Sequence, residues 1–97
     1  MDNSFSSYDL NMAVGTSFWD TVINAPYDVL VAKLGQPHAT YAPGEKVQYE
    51  WAFRDDRGRV TTVYDWKEYG NRRPSEWHVG GHDRQATEAF KAWFQCL

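Results

Sequence analysis

The sequence predicts an α+β fold in which an antiparallel β-sheet of about four strands packs against two helices, in the order β-α-β-β-β-α. Two β-rich segments flank a turn, and two other segments space their apolar residues as helices do. The chain has 97 residues, which leaves room for one hydrophobic core. We therefore expect residues 1–97 to form a single domain, with the polar residues 1–15 either flexible or strapped onto its body.

The first predicted strand and helix follow that polar segment. Residues 16–24 combine β-branched and aromatic side chains without helical spacing, which is typical of a strand. Asn24, as a capping side chain, and Pro26, in the first turn, then predict a helix start, and Gly35 and Pro37 predict its end. The apolar residues between them recur at i, i+3, i+4 and i+7: Tyr27, Leu30, Val31 and Leu34.

The centre of the chain predicts a β-hairpin. Residues 46–54 and 59–67 flank Asp55-Asp56-Arg57-Gly58, which is typical of a four-residue loop built on a type I turn. That loop predicts a packing face with four cross-strand pairs: Phe53 with Val60, Trp51 with Thr62, Tyr49 with Tyr64, and Val47 with Trp66. The opposite face, which includes Glu50 and Asp65, is mixed in polarity.

A last strand and a last helix complete the predicted fold. Residues 76–79 alternate as a strand that places Trp77 in the core, and Gly80-Gly81 are expected to end it. Asp83 or His82 can cap the helix that follows. The apolar stripe of this helix comprises Ala86, Ala89, Phe90, Trp93 and Phe94.

Composition excludes several classes of protein. A net charge of -3 is too balanced for a nucleic-acid-binding basic surface, so no direct nucleic-acid partner is expected. The apolar runs are too short for a membrane span, and the lone Cys96 cannot form an internal disulfide, so we expect a cytosolic protein without a membrane partner. Aromatic residues make up 16% of the chain, more than a small core easily hides, which favours a homo-oligomer.

The segment around the two adjacent glycines is the candidate ligand site. Consecutive glycines before a helix can turn backbone amides toward a phosphate or carboxylate. Arginine forks can grip a phosphate while an aromatic ring stacks on a base. The predicted ligand-binding residues are Arg72, Arg73, Trp77, His78, Gly80, Gly81 and His82. The structural alternatives are a tight strand-to-helix turn and a solvated charged loop.

Two other kinds of site are weaker candidates. His78, His82 and Asp83 are ordinary metal-ligand types, but the glycines between the histidines leave their placement unfixed, and we predict no metal and no cofactor. Glu50, Asp65 and His78 could meet on the sheet as acid and base, although ion pairing on the sheet surface is the simpler role for the two carboxylates. No nucleophile elbow or phosphate-binding loop is present, so we expect the protein not to be an enzyme.

Four strings give the chain a family resemblance: Leu34-Gly35-Gln36-Pro37-His38, Glu50-Trp51, the run D-R-G-R-V-T-T-V-Y-D-W-K at residues 56–67, and Trp77-His78-Val79-Gly80-Gly81. Over about residues 16–83 the sequence resembles a group of small bacteriophage-encoded proteins. The resemblance brings no catalytic residues with it. It implies an accessory protein in the cytoplasm of an infected host, where counter-defence is a common role.

These observations lead to three hypotheses about function, of which the first two are favoured. The first is a non-enzymatic phage counter-defence protein that sequesters a nucleotide-type immune signal, at a homo-oligomer interface. The alternative is a protein-protein inhibitor of a bacterial defence effector, similar in role to an anti-CRISPR protein, that uses the mixed sheet face or an edge strand. An enzyme that acts on a nucleotide through Glu50, Asp65 and His78 is the third.

Overall fold

A computed structural model describes residues 4–42, 44–67 and 74–97. Within these residues the chain forms six β-strands, two α-helices and one 3₁₀ helix, Leu10–Met12. The larger elements are β1 (Phe5–Ser7), β2 (Ser17–Asn24), α1 (Tyr27–Leu34), β3 (Ala39–Thr40), β4 (Tyr49–Asp55), β5 (Val60–Tyr64), β6 (Glu76–Gly81) and α2 (Arg84–Gln95). The predicted α+β class is confirmed; the two short strands β1 and β3 add to the four that the sequence predicts.

The strands form one antiparallel sheet with the order β1-β4-β5-β6-β2. The short β3 also pairs with β4, on the same side of β4 as β1. β4, β5 and β6 are consecutive in the chain and adjacent in the sheet, whereas β2 joins the far side of β6. None of the helices in the described parts of the chain is long and apolar enough to cross a membrane.

Both α-helices pack on the same face of the sheet. The core between them contains Leu30 and Leu34 from α1, Phe90 and Phe94 from α2, and the strand residues Ile23, Trp51, Phe53, Val63, Trp77 and Val79. The rings of Trp51 and Trp77 meet edge to face, with centroids 5.4 Å apart. Their indole N–H groups donate to the backbone oxygens of Gly35 and Ala25, at 3.0 and 2.9 Å, so neither buried donor lacks a partner.

The register of the β4–β5 hairpin differs by one residue from the predicted one. Trp51 pairs with Val63 and Phe53 with Thr61, rather than with Thr62 and Val60. The predicted pairing of Tyr49 with Tyr64 is likewise wrong, because Tyr64 pairs with Glu50; that of Val47 with Trp66 belongs to the same shifted register. β4 still turns Trp51 and Phe53 toward the helices, but β5 presents the opposite set of its residues to them.

The turn explains this shift. The amide of Asp55 donates to the backbone oxygen of Arg59 at 3.0 Å, so these two residues pair and the loop has three residues instead of four. Gly58 ends the loop with φ +83°, the left-handed conformation that such three-residue loops require. The Asp55 carboxylate also accepts from the amides of Arg57 and Arg59, at 2.9 and 2.7 Å. The turn is therefore closed by Asp55 itself.

We expect an Asp55→Asn variant to show what this carboxylate contributes. Burial by itself raises the pKa of Asp55, but hydrogen bonds from the side chain of Arg59 and from the amides of Arg59 and Arg57, with the charge of Arg59, bring the pKa below its ordinary value of 3.8. A folded-state pKa below the unfolded one stabilises the fold above about pH 4, and this stability is lost as the pH falls through the folded-state pKa. Asp55→Asn should therefore cost about 1 kcal/mol at neutral pH, because the turn keeps an acceptor but loses a charged one.

Urea denaturation at neutral and acidic pH tests this expectation. The free energies of unfolding of wild type and Asp55→Asn should converge as the pH falls below about 4. Asp56→Asn is the matched control, since Asp56 is exposed at the tip of the same turn. A gap between wild type and Asp55→Asn that does not change with pH would contradict the role given to the charge.

The N-terminal segment lies on the body as a strap. Phe5 in β1 inserts into the core, with its ring centroid 5.2 Å from those of both Phe90 and Trp93. The amide of Tyr8 donates to the backbone oxygen of Ala52, and the hydroxyl of Thr16 lies 3.4 Å from that of Thr62. Residues 8–16 thus pass from β4 to β2 across the sheet face opposite the helices, and cover one half of that face.

Both helix starts can be compared with the sequence. The side chain of Asp83 accepts from the amide of Ala86 at 2.8 Å and caps α2, one of the two predicted possibilities. The predicted cap of α1 is wrong, because Asn24 is the last residue of β2 and Pro26 precedes the helix without a side-chain cap.

The expectation that Gly80-Gly81 end the last strand is also wrong, since β6 continues through Gly81.

Candidate ligand-binding site

The sheet separates the two residues at the centre of the predicted ligand site. Successive residues of a strand point to opposite faces. Trp77 therefore lies in the core on the helix side, fully buried, whereas the ring of His78 lies on the opposite face. Trp77 can stack on a ligand only if the core opens, so the described structure gives it a packing role.

The two glycines serve close packing. Gly80 and Gly81 pair with β5 on one side and with β2 on the other, so the sheet uses their backbone. A Cβ atom on Gly80 would lie 2.5 Å from Oγ1 of Thr62, and one on Gly81 would lie 2.9 Å from Cγ2 of Thr87 in α2. Neither glycine adopts the left-handed conformation that the predicted anion-binding turn would use.

The remaining predicted ligand residues are His82, Arg72 and Arg73. His82 is exposed at the start of α2, and its Nε2 atom lies 3.2 Å from the backbone oxygen of Val14 in the strap. Arg72 and Arg73 lie outside the described residues, so their role as phosphate ligands stays a prediction. Of the five predicted ligand residues that the structure describes, only His78 has its ring on the half of the sheet face opposite the helices that no described segment covers.

Three aromatic rings group with His78 on that half of the face. Phe18, from β2, stacks on His78 with centroids 4.0 Å apart and an interplanar angle of 12°. Tyr64, from β5, meets His78 edge to face at 5.6 Å, and Trp66 meets Tyr64 edge to face at 6.4 Å. We call Phe18, Tyr64, Trp66 and His78 the aromatic face. Phe18 is 39% and Trp66 43% exposed, so the aromatic face presents ring surface to solvent.

A carboxylate borders the aromatic face. Glu50 is the cross-strand partner of Tyr64, and its Oε1 atom accepts from the hydroxyl of Tyr41 at 3.1 Å. Burial raises the pKa of both phenols, and the neighbouring charge of Glu50 raises it further. Among the residues that the structure describes, no lysine or arginine forms an ion pair with Glu50. The carboxylate is half-buried and retains acceptor capacity.

An open cleft lies next to Glu50, and Lys67 lies at the end of the aromatic face. The cleft has a volume of about 780 Å³, and Tyr41, Lys46, Val47 and Glu50 are among its lining residues. The amide of Lys67 donates to the backbone oxygen of Lys46 at 2.7 Å. Lys67, which follows Trp66, thus contacts a residue of the cleft through its backbone. Nζ of Lys67 lies 5.6 Å from the ring centroid of Trp66. Glu50 therefore borders both the cleft and the aromatic face, whereas the four rings of the aromatic face and Lys67 do not line the cleft.

The residues of the acid-base hypothesis do not converge. Asp65 is fully buried, and its Oδ1 atom accepts from the amides of Gln48 and Tyr49 at 2.8 and 2.9 Å. Glu50 and His78 share a face but lie on β4 and β6, with Tyr64 of β5 between them. Two strand spacings separate their backbones by about 10 Å. In the described part of the chain, no three His, Cys, Asp or Glu side chains group as metal ligands.

The aromatic face was missed because it depends on the hairpin register. The predicted register turned Tyr64 and Trp66 toward the core, whereas the observed one places Tyr64 beside Glu50 and His78. The sequence feature that could have indicated the observed register is Gly58, because a glycine at the last position of the loop also suits a three-residue loop. Phe18 joins through an irregularity between Phe18 and Val22 of β2, which no periodic pattern in the sequence indicates.

Comparisons of the chain with protein-family models, with curated proteins and with solved structures gave no match.

Proposed function

We propose that this protein binds a nucleotide-type ligand on the aromatic face without catalysis, and that it serves phage counter-defence by sequestering an immune signal of that chemistry. The observation that carries the proposal is the exposed ring surface of Phe18 and Trp66 on the aromatic face, which Glu50 borders at Tyr64 and Lys67 borders at Trp66. The phage setting rests on the family resemblance of the sequence.

The chemistry of the aromatic face suits a nucleotide. Sheets that bind bases do so by stacking them on exposed aromatic side chains, and each stacked base contributes about 1–3 kcal/mol. Nζ of Lys67 is close to the ring of Trp66 and can contact phosphate as a point charge. Glu50, at the border of the rings, also lines an open cleft, so a ligand on the aromatic face has space to extend beyond the rings.

Binding without turnover is the favoured mode. General acid-base catalysis requires groups within hydrogen-bond reach of the same reacting atoms. Glu50 and His78 are two strands apart, and Asp65 is fully buried, out of reach of a ligand on the aromatic face. Recovery of an intact ligand after prolonged incubation with the protein is the expected result, and a turned-over product would favour an enzyme.

The proposal includes a homo-oligomer. A ligand on an open sheet face keeps one side in water, and a second copy laid over the face would enclose it and cover Phe18 and Trp66. Light scattering coupled to size-exclusion chromatography should therefore give a mass above that of the 11.3 kDa chain. A monomer at every concentration would remove the oligomer from the proposal.

The test of the proposed function is calorimetry with a panel of mononucleotides, cyclic oligonucleotides and ADP-ribose derivatives. We expect at least one to bind, and Trp66→Ala to weaken its binding by about 1–3 kcal/mol. Trp19→Ala is the matched control, since Trp19 is 38% exposed but makes no ring contact with the aromatic face. No heat from any member of the panel at micromolar protein would contradict the proposal.

Inhibition of a defence protein is the second candidate, and the edge of the sheet favours it. β2 is an edge strand, and within the described residues no strand pairs with its outer side. Its exposed residues Phe18 and Trp19 could contact a partner protein there. A stoichiometric partner that co-purifies from bacterial lysate and is lost in Trp19→Ala, with no small molecule released on heating, would favour inhibition over sequestration.

A further inference from the structure

We propose that Glu50 selects guanine as the base of the ligand, by accepting hydrogen bonds from its N1–H and 2-amino groups while the ring stacks on the aromatic face. This inference rests on the proposed function and concerns the same site. It names the chemical class of ligand, a guanine nucleotide, which the proposed function leaves open.

The carboxylate is placed and oriented for such contacts. Cross-strand neighbours have Cβ atoms about 4.5–5.5 Å apart, so Glu50 lies directly beside Tyr64 and at the border of the rings. The hydroxyl of Tyr41 holds Oε1 from the other side at 3.1 Å. A carboxylate has about four lone-pair sites, and this contact uses one of them. Both oxygens therefore retain capacity to accept from a base stacked on the neighbouring rings.

The edges of the bases differ in what they offer to a carboxylate. Guanine carries two adjacent donors, N1–H and the 2-amino group, which match the two oxygens of a carboxylate. Adenine and cytosine each place an amino donor next to a ring nitrogen that accepts, and uracil places one N–H between two carbonyl acceptors. An acceptor facing Glu50 is repelled, and a half-buried carboxylate left without a donor is costly.

The position of Lys67 agrees with this orientation. Glu50 lies at the β4 side of the aromatic face, and Lys67 lies at Trp66, where the chain leaves β5. A base with its donor edge toward Glu50 can thus direct its sugar and phosphate along the rings toward Lys67. Lys46 lines the cleft beside Glu50 and has no part in this arrangement. The negative phosphate is then kept apart from the negative carboxylate, which the opposite orientation would bring together.

Titrations with three purine mononucleotides test the inference. Two-dimensional NMR of the labelled wild-type protein with GMP, inosine monophosphate and AMP at millimolar concentration gives the three affinities. GMP should bind at least about tenfold more tightly than AMP, the size of effect expected for one charge-assisted hydrogen bond. Inosine monophosphate, which keeps N1–H but lacks the 2-amino group, should lie between them.

Glu50→Gln supplies the decisive variant. Glutamine has nearly the same shape but one of its two terminal groups donates, so GMP binding should fall about tenfold while AMP binding stays within about twofold. Asp56→Asn is the control, because it makes the same change of charge at the exposed tip of the hairpin and should alter neither affinity. Chemical shifts far from residue 50 report whether the variant keeps its fold.

The outcomes separate this inference from the proposed function. Equal binding of GMP and AMP to wild type, or an unchanged GMP preference in Glu50→Gln, would overturn the guanine inference and leave nucleotide binding in place. No binding of any of the three nucleotides, together with no heat from the calorimetric panel, would overturn both. A GMP preference that disappears only in Glu50→Gln supports both.

Discussion

Replacing Trp51 with alanine is expected to lower the free energy of unfolding by about 3–5 kcal/mol, the usual cost of removing a large aromatic side chain from a core. Trp51 is fully buried in β4 and contacts Trp77 edge to face. The substitution also leaves the backbone oxygen of Gly35 without the donor it has in the indole N–H. Domains of this size are stable by about 5–15 kcal/mol, so the loss is a large share of the total.

Urea denaturation followed by circular dichroism measures the effect. Trp51→Phe should recover much of the stability, because it restores most of the ring but not the hydrogen bond to Gly35. Trp66→Ala is the matched surface control and should cost less than about 1 kcal/mol, since Trp66 is 43% exposed. Similar losses for Trp51→Ala and Trp66→Ala would mean that the two faces of the sheet are assigned the wrong way round.

The sequence was informative where a periodic pattern meets one buried surface. The apolar stripe of α2 predicts the burial of Phe90 and Phe94, and the spacing of Leu30 and Leu34 does the same for α1. Trp51 and Trp77 were both predicted to face the core, and both do. Side chains alternate between the two faces of a strand, so one residue assigned to the core fixes the face of all the others. These predictions use local information, and the structure confirms them.

The register could not be obtained in this way. A loop of three residues and a loop of four residues are both compatible with Asp55-Asp56-Arg57-Gly58, and the difference is one hydrogen bond between Asp55 and Arg59. That single choice reverses every β5 side chain. The choice also decided the candidate site, because it moved Tyr64 from the predicted core to the side of Glu50.

The glycines illustrate a second limit. A glycine that provides a turn and a glycine that permits close contact are identical in sequence. Gly80 and Gly81 were interpreted as a turn because they precede a helix, whereas the residue that Gly80 packs against, Thr62, lies on a different strand. A contact between residues so far apart becomes visible only when the strands are aligned.

Gly80→Ala is therefore expected to destabilise the protein by about 2 kcal/mol, as overpacking of a dense interior does. The new Cβ atom would lie 2.5 Å from Oγ1 of Thr62, and real Cβ atoms do not approach so closely. Thr62 has little freedom to move, because it is a buried β-branched residue of the central strand β5 and its hydroxyl meets that of Thr16. The backbone of Gly80 is extended, so conformational strain adds nothing to this cost.

A double-mutant cycle isolates the cause of this effect. Once Thr62→Ala removes Oγ1, the next atoms near the new Cβ are Cε1 of Tyr64 at 3.5 Å and the backbone oxygen of Ser17 at 3.6 Å, which are ordinary contact distances. Gly80→Ala in the Thr62→Ala background should then be nearly neutral, and slightly stabilising if the lower entropy of the unfolded chain dominates. An equal cost of Gly80→Ala in both backgrounds would exclude the contact with Thr62 as its cause. Because Thr62 also meets the strap through Thr16, a shift of Thr62 by the alanine should weaken the strap as well, and faster amide exchange in residues 8–16 of Gly80→Ala is the accompanying sign.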